Sequence, residues 1–240
     1  MSKTDSTVVV FDWETTDKDP GVARGAQFAA IQIMPEGEHV LANQLCNPGG
    51  PIDPGATRVH GITDDMVADA EPDTDVASQF VSYVRNVPNV ITAGQNTLSF
   101  DIPITNRLSG TEVLDLIPHI DTMVLAQRTY PRAPDHKLST LVQWLELGDA
   151  EGAHDALVDV RMVGTLIEHF QVKLDMTPMQ LAQWTRTPYV HEYCHFGKHK
   201  GKPWKDVPLF YVKWCTENWT DATPDMRATI KYHFNLEFKS

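Results

Sequence analysis

The 240-residue sequence is poor in cysteine, in long apolar runs and in positive charge. Its three cysteines are scattered and odd in number, which argues against a disulfide framework and predicts a reducing environment. The first seven residues are polar and unlike a secretory signal, and no apolar run approaches the ~20 residues that cross a membrane. We therefore expect a soluble, cytoplasmic protein with no membrane partner.

Positive charge is scarce as a whole, with 20 lysines and arginines against 32 aspartates and glutamates and a net charge of −12. Proteins that bind nucleic acid normally neutralise its phosphates with Lys and Arg, so this balance argues against broad binding to duplex. The charge is uneven, however, since residues 188–240 carry eight basic and six acidic side chains. Bound divalent cations can supply local positive charge elsewhere, so the acidity does not exclude a nucleic-acid substrate.

The apolar pattern predicts three strands followed by alternating helices and strands, which is typical of an α/β fold with a mixed sheet covered by helices. The second and third strands flank Pro35–Glu38, a turn signal, and should form an antiparallel hairpin. The composition shifts towards His, Lys and aromatic residues after Thr187, which predicts a domain over 1–187 and a module over 188–240. The predicted strands are 8–11, 27–34, 39–46, 90–93 and 116–120, and the predicted helices are 76–87, 102–108, 122–130, 138–145, 153–172 and 177–186.

Acidic side chains follow two of the predicted strands and open the long predicted helix. Asp12 and Glu14 come directly after the first strand, where residues i and i+2 face the same side, so their carboxylates should converge. That arrangement is costly unless a cation lies between them. Asp101 stands at a predicted helix start, and His154 and Asp159 lie five residues apart at another. Taken singly, each segment has an ordinary interpretation as a solvated turn, a cap or a surface pair.

In order and spacing, Asp12, Glu14, Asp101, His154 and Asp159 resemble the site of the DEDDh, or DnaQ-like, exonucleases. The stretch 59–63 resembles a loop of that family, and the resemblance covers about residues 8–172. Within the family, the segments 24–31 and 153–160 are most similar to exonuclease I, although this chain is much shorter. The resemblance implies a ribonuclease H-like mixed five-stranded sheet flanked by helices, with a small C-terminal α+β appendage.

By this resemblance, the protein should be a 3′→5′ exonuclease that releases nucleoside 5′-monophosphates from a free 3′ end of single-stranded DNA. Two Mg²⁺ or Mn²⁺ ions, which prefer carboxylate oxygens, would be bound by Asp12, Glu14, Asp101 and Asp159. His154 would be the general base, because histidine ordinarily titrates near neutrality. Substrate contacts are expected from Trp13, Thr15, Thr16, Arg24, Gln27, His60, Asn96 and Phe100. For Phe28 and Phe100, core packing is an equal alternative.

The segment 195–205 contains four lysines and no acidic residue, interleaved with glycine and aromatic residues. Such a pattern suits a surface that follows a nucleic-acid strand. It also resembles a module appended to some DnaQ-like exonucleases, which implies an accessory role. The expected accessory nucleic-acid contacts are Lys198, Lys200, Lys202 and Trp204.

Several alternatives remain open from the sequence. The appendage could be a hairpin with a solvated lysine face, in which Trp204, Tyr211 and Trp214 form a miniature core. A zinc site is a weaker alternative, since its spacing matches no strong finger pattern; its ligands would be Cys194, His195, His199 and Cys215. For the whole chain, the alternatives are an exoribonuclease, a proofreading subunit, or an inactive nucleic-acid-binding or polymerase-associated protein. The sequence identifies no protein partner.

Overall fold

A six-stranded mixed sheet forms the centre of the protein, with strand order β4-β3-β2-β1-β5-β6. The computed structural model describes residues 6–34, 37–219 and 222–238. Strand β2 pairs antiparallel to both β1 and β3, whereas β5 pairs parallel to β1 and to β6. The strands are β1 (Thr7–Thr15), β2 (Gly25–Met34), β3 (Gly37–Asn47), β4 (Glu71–Pro72), β5 (Val90–Gly94) and β6 (His119–Asp121).

Helices cover both faces of this sheet and also build the C-terminal appendage. Within the described part of the chain, no helix has the length and apolar character that crossing a membrane requires. The helices are α1 (Pro54–His60), α2 (Asp64–Val67), α3 (Asp73–Asn86), α4 (Asp101–Ser109), α5 (Val113–Leu116), α6 (Thr122–Thr129), α7 (Leu138–Trp144), α8 (Ala156–Leu174), α9 (Pro178–Arg186), α10 (Leu209–Asn218) and α11 (Pro224–Phe234).

The predicted α/β fold with a mixed sheet is confirmed, and β2 and β3 pair antiparallel as expected. In the turn predicted between them, Pro35 and Glu36 lie outside the described residues. The sheet has six strands rather than five because Glu71–Pro72 pairs with the end of β3. A two-residue strand has too little periodicity to appear in a sequence pattern.

The alternation of β1 separates the core into two layers. Val8 and Val10 pack in one apolar cluster with residues of α8, whereas Val9 and Phe11 pack in the other with residues of α3 and α4. Because side chains alternate along a strand, the two carboxylates at the end of β1 lie on the side of α8. The register of one strand therefore determines which helix faces the acidic residues.

The structure corrects the predicted bounds of one strand and of one loop. The strand predicted over 116–120 begins only at His119, because the preceding residues form α5 and Leu116 is 82% exposed. Pro118 between them disfavours helical backbone in the residue before it, so α5 ends there. The stretch 59–63 is not wholly a loop, since α1 runs to His60 and Gly61 caps it in the left-handed conformation at φ 77°.

The C-terminal appendage has its own apolar core, which includes Trp204, Val212 and Ile230. It is joined to the rest of the protein by the buried ion pair of Arg128 and Asp225, whose Nη2 and Oδ1 atoms are 2.7 Å apart. Arg128 also donates to the main-chain carbonyl of Thr185. The ion pair attaches the appendage to α6, and the second hydrogen bond joins α6 to α9. The division at residue 187 stays a prediction.

The two alternatives for the appendage have different outcomes. The hairpin is borne out in part, because Tyr193 and Pro203 form an antiparallel β-bridge and the main chains of Cys194 and Lys202 are hydrogen-bonded beside it. Trp204 belongs to the appendage core and Tyr211 packs against it, as that alternative has it, whereas Trp214 is 51% exposed. The zinc alternative is contradicted, because no three of its four proposed ligands bring their ligand atoms within 4.8 Å of one another in the part of the chain described. Burial raises the pKa of the Cys194 and Cys215 thiols, which disfavours the thiolates that zinc requires.

Candidate active site

The end of β1 presents Asp12 and Glu14 on one side of the sheet. Between them, the Trp13 ring points to the opposite face, is 3% exposed, and donates from Nε1 to the Thr105 hydroxyl at 2.9 Å. The ring lies over Gly25, where an added Cβ would be 2.3 Å from it. The buried Trp13 ring fixes the end of the strand, so the predicted substrate contact at this position is left to its main chain and stays a prediction.

Asp101 reaches β1 from the start of α4. Its Oδ1 accepts a hydrogen bond from the Trp13 main-chain nitrogen at 3.1 Å, and the side chain is 3% exposed. The loop before it is held by Asp121, which accepts from the main-chain nitrogens of Asn96 and Leu98, each at 3.1 Å. Asn96 has a φ of 60°, a left-handed conformation that asparagine tolerates well. Asp121 thus places the loop that leads to Asp101.

The first turn of α8 brings His154 and Asp159 to the same place. The helix begins at Ala156 rather than at the predicted residue 153, because His154 has a φ of 72° and Asp155 caps the helix. The Asp155 carboxylate accepts from the main-chain nitrogens of Leu157 and Val158. The His154 main-chain nitrogen lies 3.3 Å from Asp159 Oδ1, to which it donates. His154 therefore stands just before the helix, with its side chain exposed.

Gln27 connects β2 to this helix start. Its Oε1 accepts from the Ala156 main-chain nitrogen at 3.3 Å, and its Nε2 donates to Asp155 and to Asn43. The side chain is 9% exposed and both amide atoms are engaged within the protein. These hydrogen bonds position the first turn of α8, and the expected contact of Gln27 with a strand stays a prediction.

Arg24 also has its main contacts within the protein. Its Nε and Nη2 atoms donate to the two carboxylate oxygens of Asp73, at 2.7 Å and 2.5 Å. A bidentate pair of this kind is strong and fixes the plane of the guanidinium. Two of the three guanidinium nitrogens of Arg24 are thus bonded to Asp73, while the Arg24 side chain remains 38% exposed.

The acidic side chains and one imidazole form a tight group. Ligand atoms of Glu14, His154 and Asp159 all lie within 4.8 Å of one another. Burial, followed by the charges of Asp159 and Asp101, raises the pKa of Glu14 to about 8. Burial, followed by the charges of Asp101 and Glu14, raises the pKa of Asp12 well above its usual range. Four carboxylates from three separate segments of the chain therefore lie close enough to repel one another.

This electrostatic imbalance tests whether the site suits a metal. Burial and the charges of Asp159, Asp101 and Asp155 all raise the pKa of Glu14, and among the described residues no cationic side chain offsets them. Burial likewise raises the pKa of Asp101 to about 7 and the pKa of Asp159 above its ordinary value. Hard carboxylate oxygens are the ligands that divalent cations such as Mg²⁺ and Mn²⁺ prefer. The donor set fits a divalent cation, which would supply the positive charge that the protein does not.

A cleft of about 530 Å³ lies beside Glu14 and is lined in part by Thr15, His60 and Phe100. His60 accepts from the Ile62 main-chain nitrogen through Nδ1, so its Nε2 carries the proton and donates to the Thr15 carbonyl. Burial lowers the pKa of His60, which keeps the ring neutral. His60 therefore offers the cleft its ring face, whereas the half-buried Phe100 offers an aromatic edge or face.

The remaining predicted contacts have different surroundings. Thr15 and Thr16 are each 8% exposed, and their hydroxyls bond to the Asp17 carbonyl and the Arg24 main-chain nitrogen, respectively. Phe28 is 1% exposed and packs 5.0 Å from the Phe80 ring, so core packing is the correct alternative for it. Thr15 still lines the cleft, whereas Thr16 serves the turn after β1.

The accessory contacts predicted in the appendage divide into two kinds. Lys198, Lys200 and Lys202 are exposed, although the Lys200 ammonium donates to the Pro134 carbonyl at 2.7 Å. Trp204 is 1% exposed in the appendage core, so the expectation that it contacts nucleic acid is wrong. Its burial agrees instead with the alternative in which Trp204 belongs to a small core of the appendage.

Sequence reasoning missed Asp155 and Asp121, the two carboxylates that hold the site's loops. Each stands immediately before a helix, where an aspartate is a preferred N-cap, so this signal was present in the sequence. What the sequence did not contain is that Asp155 also bonds to Gln27 and that Asp121 also reaches back to the loop at Asn96. Those long-range bonds depend on the folded sheet.

The fold and the acidic cluster define a nuclease hydrolase. A family model described as exonuclease matches residues 9–167, which include all five of the clustered residues. The chain belongs to this DnaQ-like exonuclease family, as its sequence pattern predicted.

Known proteins resemble the chain over different lengths. Exodeoxyribonuclease 10 from Escherichia coli strain K12 is 26% identical over 231 residues, covering 93% of this chain and 97% of its own. The PolC-type DNA polymerase III from Latilactobacillus sakei is 30% identical over 162 residues, which are 66% of this chain but only 11% of the polymerase. The structure of Escherichia coli exonuclease I with a dT13 oligonucleotide superposes with a TM-score of 0.58 at 24% identity, over 71% of this chain and 43% of that one. This last similarity concerns the fold.

The raised pKa of Glu14 predicts how stability changes with pH when no metal is present. The pKa of Glu14 rises from 4.5 to about 8 on folding, so between these values the folded protein keeps a proton that the unfolded chain releases. The free energy of unfolding should therefore fall as the pH rises through this range. Glu14→Gln should flatten the dependence, as measured by urea unfolding in EDTA. Glu168→Gln, at an exposed position of α8, is the control; equal slopes for both variants would contradict the account.

Proposed function

We propose that the protein is a 3′→5′ exonuclease that hydrolyses single-stranded DNA to nucleoside 5′-monophosphates by a two-metal-ion mechanism. The observation that carries this proposal is the convergence of Glu14, Asp159 and His154 within 4.8 Å beside the half-buried Asp12 and the buried Asp101. Similarity to exodeoxyribonuclease 10 over nearly the whole of both chains supports DNA as the substrate. A structure of exonuclease I with a DNA oligonucleotide supports a single strand.

Asp12, Glu14, Asp101 and Asp159 would hold two divalent ions, for which Mg²⁺ and Mn²⁺ are the candidates. When bound, such ions stabilise charge on the attacking and leaving oxygens of a phosphodiester. The protein's own contribution is rigidity. Trp13 holds Asp101 through its main-chain nitrogen, and an extra residue in β2, Ala26, shifts the register of the β1–β2 pair directly after Glu14.

His154 would act as the general base. Its side chain is exposed next to the carboxylates, so it can take a proton from an attacking water and release it to solvent. The cleft lined by Thr15, His60 and Phe100 would receive the terminal nucleotide of the strand. Stacking on the half-buried Phe100 ring needs no particular base, which fits an enzyme that removes nucleotides in succession.

Digestion of matched DNA and RNA oligonucleotides tests the proposal. The substrates carry a label at the 5′ end, and each is incubated with Mg²⁺, with Mn²⁺ or with EDTA. We expect DNA to shorten stepwise from the 3′ end with either metal, to release nucleoside 5′-monophosphates, and to stay intact in EDTA. Digestion of RNA alone would replace the DNA proposal with an exoribonuclease. Digestion of neither would indicate an inactive member of the family.

A further inference from the structure

Helix α10 carries aromatic side chains that no core covers. Phe210 is 67% exposed and Trp214 is 51% exposed, and their spacing of four residues puts them on one face of the helix. The opposite face holds Val212 and Cys215 in or against the appendage core. Isolated exposed apolar side chains are common, but a contiguous group on one helix face is typical of a binding surface.

Lysine side chains lie beside these rings. The Lys198 ammonium lies 5.5 Å from the centre of the Phe210 ring and 5.1 Å from that of Tyr211. The Tyr211 and Trp214 rings are stacked, with an interplanar angle of 18° and centres 6.3 Å apart. Together with Lys213 and Glu217, these residues line a cavity of about 730 Å³. We call Lys198, Phe210, Tyr211, Lys213 and Trp214 the aromatic shelf.

The aromatic shelf is fixed in place by its supports. Gly197 has a φ of 58°, and a Cβ there would lie 2.5 Å from the Tyr211 hydroxyl, so only glycine lets the lysine-bearing turn approach this ring. The buried Trp204 packs in the core beneath. Lys200, whose ammonium donates to Pro134, ties the same turn to the nuclease part of the protein. A surface held in this way loses little entropy when it binds a ligand.

We propose that the aromatic shelf binds single-stranded DNA on the 5′ side of the nucleotide that is cleaved. This inference rests on the proposed function, which it extends from the cleft to the appendage. Bases stack on aromatic faces without regard to sequence, and lysines beside the rings can neutralise phosphates. Charge complementarity favours this occupant, because residues 188–240 have a net positive charge whereas the rest of the chain is strongly acidic.

Binding of oligothymidylates tests the proposal in the full-length protein. Fluorescence anisotropy in EDTA measures affinity without hydrolysis, for labelled strands of about 4 and about 30 nucleotides. The double variant Phe210→Ala/Trp214→Ala should bind the long strand at least about fivefold more weakly for each ring removed. Its rate of hydrolysis of the short strand in Mg²⁺ should match that of the wild type. Tyr232→Ala, at an aromatic residue of α11 that is 73% exposed, is the control.

The lysines give a second readout. For the double variant Lys198→Gln/Lys213→Gln, the slope of log affinity against log salt concentration should decrease by about 0.7 for each lysine. Equal affinity of the aromatic double variant and Tyr232→Ala for the long strand would overturn the proposal, as expected if the shelf served a protein partner instead. Wild-type protein that binds the long strand but hydrolyses no nucleic acid would refute the proposed function and leave the shelf as a binding site.

Discussion

Replacement of Asp12 by asparagine should abolish hydrolysis and, in the absence of metal, make the protein more stable. Burial raises the pKa of Asp12, and so do the charges of four neighbouring carboxylates. Removal of its charge relieves that repulsion, and each kcal/mol gained should raise the melting temperature by about 2–4 °C. The same change removes a proposed metal ligand, so the turnover number should fall by at least about a thousandfold.

The two effects of Asp12→Asn are separated by adding metal. In EDTA, thermal melts should show the variant above the wild type, whereas Mn²⁺ should stabilise the wild type more than the variant. Asp69→Asn removes one charge at an exposed position just after α2 and should change neither activity nor melting temperature appreciably. A variant that keeps wild-type turnover, or that melts well below the wild type in EDTA, would show that Asp12 has been assigned the wrong role.

Replacement of His154 by asparagine should lower the turnover number by about 10²–10⁴-fold and leave the fold intact. Asparagine tolerates the left-handed backbone of this position, where φ is 72°, but its amide cannot take up a proton. The side chain is exposed, so the free energy of unfolding should change by less than about 0.5 kcal/mol. Steady-state hydrolysis of a single-stranded oligonucleotide and urea unfolding measure the two quantities.

His39→Asn provides the matched comparison, because His39 is also exposed but lies on β3. It should retain wild-type turnover. A His154→Asn variant with full activity would show that His154 is not the general base and that solvent or another group takes the proton. A variant that unfolds much more easily would instead indicate a structural role for the imidazole.

Local periodicity was enough to predict the strand and the two carboxylates at the centre of the site. Val8 to Phe11 read as a buried strand, and alternation placed Asp12 and Glu14 on one side. Family resemblance then selected Asp101, His154 and Asp159 from among other acidic and histidine residues. The structure brings Glu14, His154 and Asp159 together, although their roles in catalysis stay predictions.

Contacts made by long-range hydrogen bonds were beyond the sequence. Gln27 was predicted to touch a strand, but its amide holds the start of α8, more than a hundred residues away in the chain. Trp13 and Trp204 were predicted at binding surfaces, yet both are buried, since a tryptophan has the same local pattern in a core as on a surface. In the appendage, Phe210 and Trp214 became recognisable as a surface only when the opposite face of α10 proved to be core.

The proposed active site requires that cations hold mutually repelling carboxylates in one pocket. The affinity of the protein for Mn²⁺ tests this requirement most directly. Metal-free wild-type protein and Glu14→Gln would be titrated with Mn²⁺, and free Mn²⁺ would be counted by its electron paramagnetic resonance signal. We predict saturable uptake by the wild type and markedly weaker uptake by Glu14→Gln. Wild-type protein that leaves all Mn²⁺ free, or that binds it no better than the variant, would contradict the account.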